Sequence, residues 1–203
     1  MPWISRDDYL TQSEMENNVT LTRNYLHSIG WSDNAIAGLC GNMEYESSIS
    51  PGRKEITSGT WTPQNGYGLC MWTPATKLFN WLSSKGYTDR TNGNYQLEFV
   101  DTVSSQWGPS GDPHAPSVQP PITWAEYRVS TLSPITLAEY FMFYWEKPAY
   151  DPQINMLEKR KEWAGEWYTY ITGQEPGPPE PTPGGFPPYL ICAFKKRGGY
   201  INE

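Results

Sequence analysis

Apolar residues recur at helical spacing along most of this chain, and residues suited to helix ends break the pattern at intervals. Thr11-Gln12-Ser13-Glu14 reads as a capping box, in which hydroxyl and carboxylate each satisfy an orphan backbone donor. The helix it opens carries Val19, Leu21, Tyr25 and Leu26 and stops at Gly30. A second helix is predicted from Ser32 and Asp33 through Ile36, Leu39 and Met43 towards Ser47. Thr73-Pro74 predicts a third start, with Thr73 as cap and Pro74 at the first helical position, where its missing N–H costs nothing. Leu78, Phe79, Trp81 and Leu82 supply its apolar face, and Gly86 closes it. Further helices are predicted over Tyr95 to Ser105 and over Asp151 to Thr172, the latter carrying Met156, Leu157, Trp163, Trp167 and Tyr170. Capping boxes are also read at Thr123 to Glu126 and at Thr136 to Glu139, the second opening an aromatic helix with Phe141, Phe143, Tyr144 and Trp145.

Three stretches lack this pattern. Residues 48–72 are rich in Ser, Gly, Thr and Pro and read as a loop or small β-hairpin. Residues 108–121 hold five prolines and read as a surface loop. Residues 175–188 hold seven prolines among glycine and glutamate, a composition that favours extended chain over a packed element. The expected organisation is a catalytic domain over 1–172, a Pro/Gly-rich linker over 173–188, and a short tail over 189–203 that anchors to another protein.

Composition narrows the function. A net charge of -7 argues against nucleic acid or an anionic membrane as partner, since both call for basic surfaces. No apolar run reaches membrane-spanning length, and the start of the chain lacks the basic and apolar regions of a signal peptide. The expectation is a protein made in a cytoplasm and carried to its target by some other route. Cys40, Cys70 and Cys192 are too few and too widely spaced for a disulfide framework or a C-x-x-C site, although a Cys40–Cys70 pair stays open. With only His27 and His114 besides, no metal or other cofactor is expected.

The chemistry concentrates in Gly41-Asn42-Met43-Glu44-Tyr45-Glu46-Ser47. At about 100° per residue, Glu46 projects with Leu39, Asn42 and Met43, whereas Glu44 falls on the far side and reads as a solvated residue. A carboxyl lying over an apolar stripe at a helix C-terminus is disfavoured in its ionised form by desolvation and by the macrodipole. Such a group can keep a proton near neutral pH and deliver it to a leaving sugar oxygen. The plainer alternative is that Glu46 merely ends a helix.

The surrounding motifs favour the first reading. After Glu46-Ser47 come Pro51-Gly52, then Gly66-Tyr67-Gly68-Leu69-Cys70-Met71-Trp72-Thr73, and later Tyr144-Trp145-Glu146-Lys147-Pro148. This ordered set, spread over residues 10–172, resembles the phage tail lysozyme family. Its members show a Glu-Ser dyad ending a helix, then a G-Y-G-L-x-Q-W-T segment, then a Y-E-R-P-like segment. The resemblance implies an α+β, predominantly helical, lysozyme-like fold with a small β or loop region after the catalytic helix. It implies hydrolysis of peptidoglycan glycan strands from the tail tip of a virion, with other tail proteins as partners. It places the catalytic acid at Glu46, and substrate contacts at Ser47, Tyr67, Gly68, Met71, Trp72 and Glu146. Met71 stands where the family usually has Gln, and Lys147 where Arg is common, so sugar contacts differ from the pattern.

A second catalytic group is read at Glu55, with Thr57, Ser58, Thr60 and Thr62 as water-positioning hydroxyls. A single-acid site supporting lytic transglycosylase chemistry is the alternative. Trp61, Tyr67, Trp72 and Trp145 are candidates for stacking on sugars or for ordinary core packing. Two rival functions remain: a cysteine peptidase using Cys40 or Cys70 with His27 or His114, and a non-catalytic glycan-binding tail protein.

Overall fold

The computed structural model describes residues 1–55, 59–109, 120–148 and 156–179, which form a mostly helical fold. Helix α1 spans Gln12–Ser28, and its capping box forms: the Glu14 carboxylate accepts from the Thr11 N–H at 2.8 Å. Helix α2 spans Asp33–Ser47, with the Ser32 hydroxyl accepting from the Ala35 N–H. Every residue from Ala35 to Met43 is buried, so α2 is wrapped on all sides rather than lying on a surface. It is the central helix, packed most extensively on α7 (Leu157–Thr172) and next on α6 (Pro134–Phe141).

Helix α3 spans Thr76–Ser84, α4 spans Gly93–Thr102, and α5 is a short turn of helix at Trp124–Arg128 that uses the predicted Thr123 cap. Helix α3 starts later than the sequence suggests because Thr73 is engaged elsewhere: its hydroxyl donates to Met71 O at 3.1 Å. The expected cap at Thr136 also fails. Helix α6 begins three residues earlier than that cap implies, at Pro134, and Glu139 points to Lys161 of α7 at 3.3 Å instead of back to a helix end. A π-helical turn over Met142–Glu146 follows α6 and ends at Lys147, whose backbone is left-handed (φ 52°). Helix α7 starts at Leu157; residues 151–155 of the predicted span lie outside the described residues.

Of the loop or small β-hairpin expected over 48–72, the described residues show the loop. Among the described residues, 48–72 holds one isolated antiparallel bridge, Lys54 to Tyr67. Tight turns on either side satisfy the backbone before a ladder can extend, with Asn65 N donating to Thr62 O and Met71 N to Gly68 O. The segment is held by side chains instead. Gln96 of α4, fully buried, accepts from Leu69 N–H at 2.9 Å and donates to Pro51 O and Arg90 O, both at 2.7 Å. Gly68 sits at φ +82°, and a Cβ there would come within 2.6 Å of the Gln96 Oε1, so only glycine fits.

Aromatic rings fill the core, as the composition suggested. Trp31, Trp107, Trp124, Tyr127 and Phe141 stack and abut edge-on beneath α2. Cys40 and Cys70 are buried free thiols, and Cys192 lies outside the described residues. No described helix is long and apolar enough to cross a membrane.

Candidate active site

The last turn of α2 delivers Glu46 to a cavity of about 470 Å³, a size that suits a small ligand or a sugar unit. The cavity wall joins distant parts of the chain. Glu46 comes from α2; Glu55, Cys70, Met71, Trp72 and Thr73 from the segment after it; and Trp145, Glu146, Lys147 and Pro148 from the π-helical turn and its exit. Lys77 and Gln106 complete the rim. A wider groove of about 720 Å³ runs over α7, lined by Glu158, Glu162 and Glu166 with prolines, and holds none of the predicted site residues.

Two consecutive left-handed residues turn the chain sharply after the acid: Ser48 at φ 52° and Ile49 at φ 56°. A β-branched residue rarely adopts that conformation, and here the surroundings hold it. Ile49 is fully buried, and its carbonyl accepts from Asn18 Nδ2 at 2.8 Å. The turn aims Pro51 to Glu55 back beside the helix end. Glu55 is then fixed by its Oε2, which accepts from Gly66 N–H at 3.0 Å and lies 3.4 Å from the Thr73 hydroxyl. A Cβ at position 66 would meet that Oε2 at 2.7 Å and the Met71 Cγ at 2.6 Å. Gly66 therefore lets the carboxylate rest on bare backbone.

The partner of Glu46 is Arg160 of α7, buried to 1% side-chain exposure. Its Nη2 donates to Glu46 Oε1, and its Nη1 donates to Asn42 Oδ1 at 2.9 Å and stands 3.9 Å from Glu146 Oε2. Its planar head also covers the Tyr45 ring at 4.1 Å. The apolar stripe of α2 predicts a lone carboxyl at Glu46. The structure makes it one member of a cluster with Arg160 and Glu146. Burial pushes the Glu146 carboxyl well above the usual carboxylate range; the Glu46 carboxylate adds to that push, and Arg160 opposes it.

Arg160 and Gln96 escaped the sequence reading, although a signal exists for each. Arg160 shares a helical stripe with Ala164 and Trp167, and Gln96 shares one with Gly93 and Val100. A polar residue on a buried stripe needs a built partner, and both have one.

The other predicted residues divide in two. Met71, Trp72 and Glu146 line the cavity with Glu46 and Glu55. Ser47, Tyr67 and Gly68 are buried behind it. The Ser47 hydroxyl lies 3.0 Å from Met43 O and 2.9 Å from Leu69 O, and its single proton serves both, tying the helix end to the Gly66–Thr73 segment. Tyr67 packs edge-on against Phe79 and tilted on Trp61. Trp72 and Trp145 are 4% and 2% exposed, so little of either ring is open for stacking. Trp61 is half-buried, with its Nε1 donating to Gly66 O. Thr57, Ser58 and His114 lie outside the described residues.

Glu44 is not the solvated residue expected. It accepts from Trp167 Nε1 at 2.7 Å, and burial raises its carboxyl to about 7. The cysteine-based rival loses its nucleophile: burial pushes both thiols up, away from the thiolate, and His27 is exposed on α1. No cluster of metal-binding side chains occurs among the described residues.

Comparison with known proteins places the chain in a family. Morphogenesis protein 1 of Bacillus phage B103 is 33% identical over 173 residues, covering 85% of this chain and 44% of that protein. The chain thus spans less than half the length of that relative. Residues 17–171 match the family described as phage tail lysozyme, a span that holds Glu46, Glu55, Glu146 and Arg160, and the chain belongs to that family.

Proposed function

We propose that this chain hydrolyses the glycan strands of peptidoglycan, acting from a phage tail to open the bacterial wall locally when the phage enters its host. The observation that carries the reading is the convergence of two carboxyl groups, Glu46 and Glu55, on one cavity formed from the end of α2 and the segment that follows it. Glycosidic cleavage needs one carboxyl to protonate the leaving oxygen and, in the inverting course, a second to activate water. Glu46 takes the first role and Glu55 the second. Glu55 suits its role because Gly66 and Thr73 hold one oxygen and fix the orientation of the other. That same fixing favours hydrolysis over transglycosylase chemistry, in which the sugar's own hydroxyl replaces water and no second carboxylate is required.

Met71, Trp72 and Lys147 form the wall that a sugar would meet. Ser47 and Gly68 act behind it by keeping the helix end and the Gly66–Thr73 segment in register. The phage context comes from the family and from the relative named for morphogenesis. The tail over 189–203 is the proposed anchor to other tail proteins, and it lies outside the described residues.

Purified, nucleic-acid-free cell wall tests this. The chain should release reducing ends or anhydro sugars, and Glu46→Gln should lower that rate by about 10²–10⁴-fold while keeping the bond from Arg160, since the Gln carbonyl still accepts. Mass spectrometry of the products separates the chemistries: reducing muramic ends mark a muramidase, anhydro ends a transglycosylase. Binding to wall without turnover, equal in both forms, would favour the non-catalytic reading instead.

A further inference from the structure

Glu146, Glu46 and Arg160 form a charge set that has its own consequence. The Arg160 side chain is 1% exposed, that of Glu146 6%, and that of Glu46 17%. One guanidinium faces two carboxyls in this nearly dry space. With both carboxyls ionised, the cluster carries a net negative charge away from water, at high cost. With one proton between them, it is neutral. The geometry also says where the proton rests. Arg160 donates directly to Glu46, the contact an ionised carboxylate makes best, but stands 3.9 Å from Glu146. The Oε1 of Glu146 is buried without a hydrogen bond of ordinary geometry among the described residues, an arrangement a neutral carboxyl tolerates better than a charged one.

We propose that Glu146 is the proton-holding residue of this site, keeping the proton that Glu46 passes to the glycan. The proposal rests on the hydrolase reading above. Glu146 is thus a positioning residue that acts through Glu46, not a sugar contact. Other charged or titratable groups face the pair. Cys70 comes from the Gly66–Thr73 segment and Tyr127 from α5, each with its proton held firmly by burial. Lys77, Lys147 and Glu55 stand on the cavity wall. Burial lowers Lys147 from its ordinary value. Burial raises the Glu146 carboxyl most, Glu46 adds to this by charge and by hydrogen bond, and Arg160 and a hydrogen bond with Cys70 oppose it; the net rise agrees with a shared proton.

The step balances as follows. When a glycan fills the cavity, the Glu146 proton moves to the Glu46 carboxylate, and Glu146 becomes the anion paired with Arg160. Glu46 then gives the proton to the glycosidic oxygen as the C–O bond breaks, and the bonding electron pair stays on that oxygen. Water adds to the anomeric carbon and loses a proton to Glu55. That proton returns through cavity water to the cluster, which is again neutral.

Two measurements test this. Carboxyl carbon NMR of the ¹³C-Glu-labelled chain, without substrate, should show Glu146 protonated at neutral pH, and its titration should move to lower pH in Glu46→Gln. A Glu146 that is ionised at neutral pH in the unsubstituted chain overturns the proposal, and this readout needs no Glu146 variant to fold. In the wall assay, Glu146→Gln should cut kcat about 10-fold or more at neutral pH, leave KM within about twofold, and move the alkaline limb of the rate profile to lower pH. The limb moves down because the proton held at Glu146 is then missing from the cluster. An active unsubstituted chain and a Glu146→Gln profile of unchanged shape would overturn the proposal alone. An unsubstituted chain that leaves the glycan intact would remove the hydrolase reading, and this proposal with it.

Discussion

Glu44 and Glu46 lie two positions apart on α2, yet α7 grips both, one through Trp167 and the other through Arg160. Their roles differ because only Glu46 reaches the cavity. Glu44 is left with a structural task that depends on pH. Its folded-state carboxyl titrates near 7 against an ordinary 4.5, chiefly because burial disfavours the charge. The folded chain therefore binds an extra proton between those values. Its contribution to stability is complete below 4.5, declines as pH rises through the window, and is lost above 7. Glu44→Gln keeps an acceptor for Trp167 but has no proton to lose. Thermal melts should show the variant gaining on the unsubstituted chain as pH rises from about 4.5 to about 8, by on the order of 5 °C once partial exposure of the carboxyl is discounted. A gap that stays constant across that range would mean that Glu44 does not titrate there.

At the scale of elements, the decisive fact is how closely α2 and α7 approach. A Cβ at Gly41 would lie 2.3 Å from Arg160 O and 2.8 Å from Ala164 N, both backbone atoms that cannot swing aside. Gly41→Ala must therefore push α7 away, at a cost of about 1–3 kcal/mol in stability. It should also draw Arg160 off Glu46, so wall-degrading activity should fall further than the loss of folded protein accounts for. Circular dichroism and the wall assay, run on the same sample, check both. Unaltered melting would mean that the helices have slack the geometry denies. This contact also marks the limit of what the sequence could disclose. The caps at Thr11, Ser32 and Thr123 are local chemistry, and they were legible. Glu139 looked like a cap residue because its true partner, Lys161, belongs to a different helix. Within the site, Glu46 and the Gly66–Thr73 segment stood out by motif. Arg160 did not, being 114 residues from Glu46 and adjacent to it only after the helices pack. Of the loop or small hairpin expected after Glu46, the described residues form the loop, for a related reason. Its threonines and glycines suit strands or turns equally, and the choice falls to tertiary partners such as Gln96.

Across the whole molecule, the composition break after Gly173 does not coincide with the last packed residue. The Ser133 hydroxyl, at the start of α6, donates to Gly177 O at 2.9 Å. Pro176 and Pro179 lie along α7 beside Gly165 and Thr169, so the first part of the proline-rich stretch is laid against the helices that position Arg160 and Glu146. A proline-rich segment suits this use, since it is already extended and loses little freedom on docking. A chain ended at residue 173 should therefore melt lower than one ended at residue 179, by on the order of 2–5 °C. Both should still degrade wall, because none of residues 174–179 lines the cavity of Glu46 and Glu55. Equal melting of the two truncated forms would show the contact with α6 and α7 to be without weight. Loss of activity only in the shorter form would tie the strap to the alignment of α7 over the acid, and the enzymatic unit would then extend past the last helix.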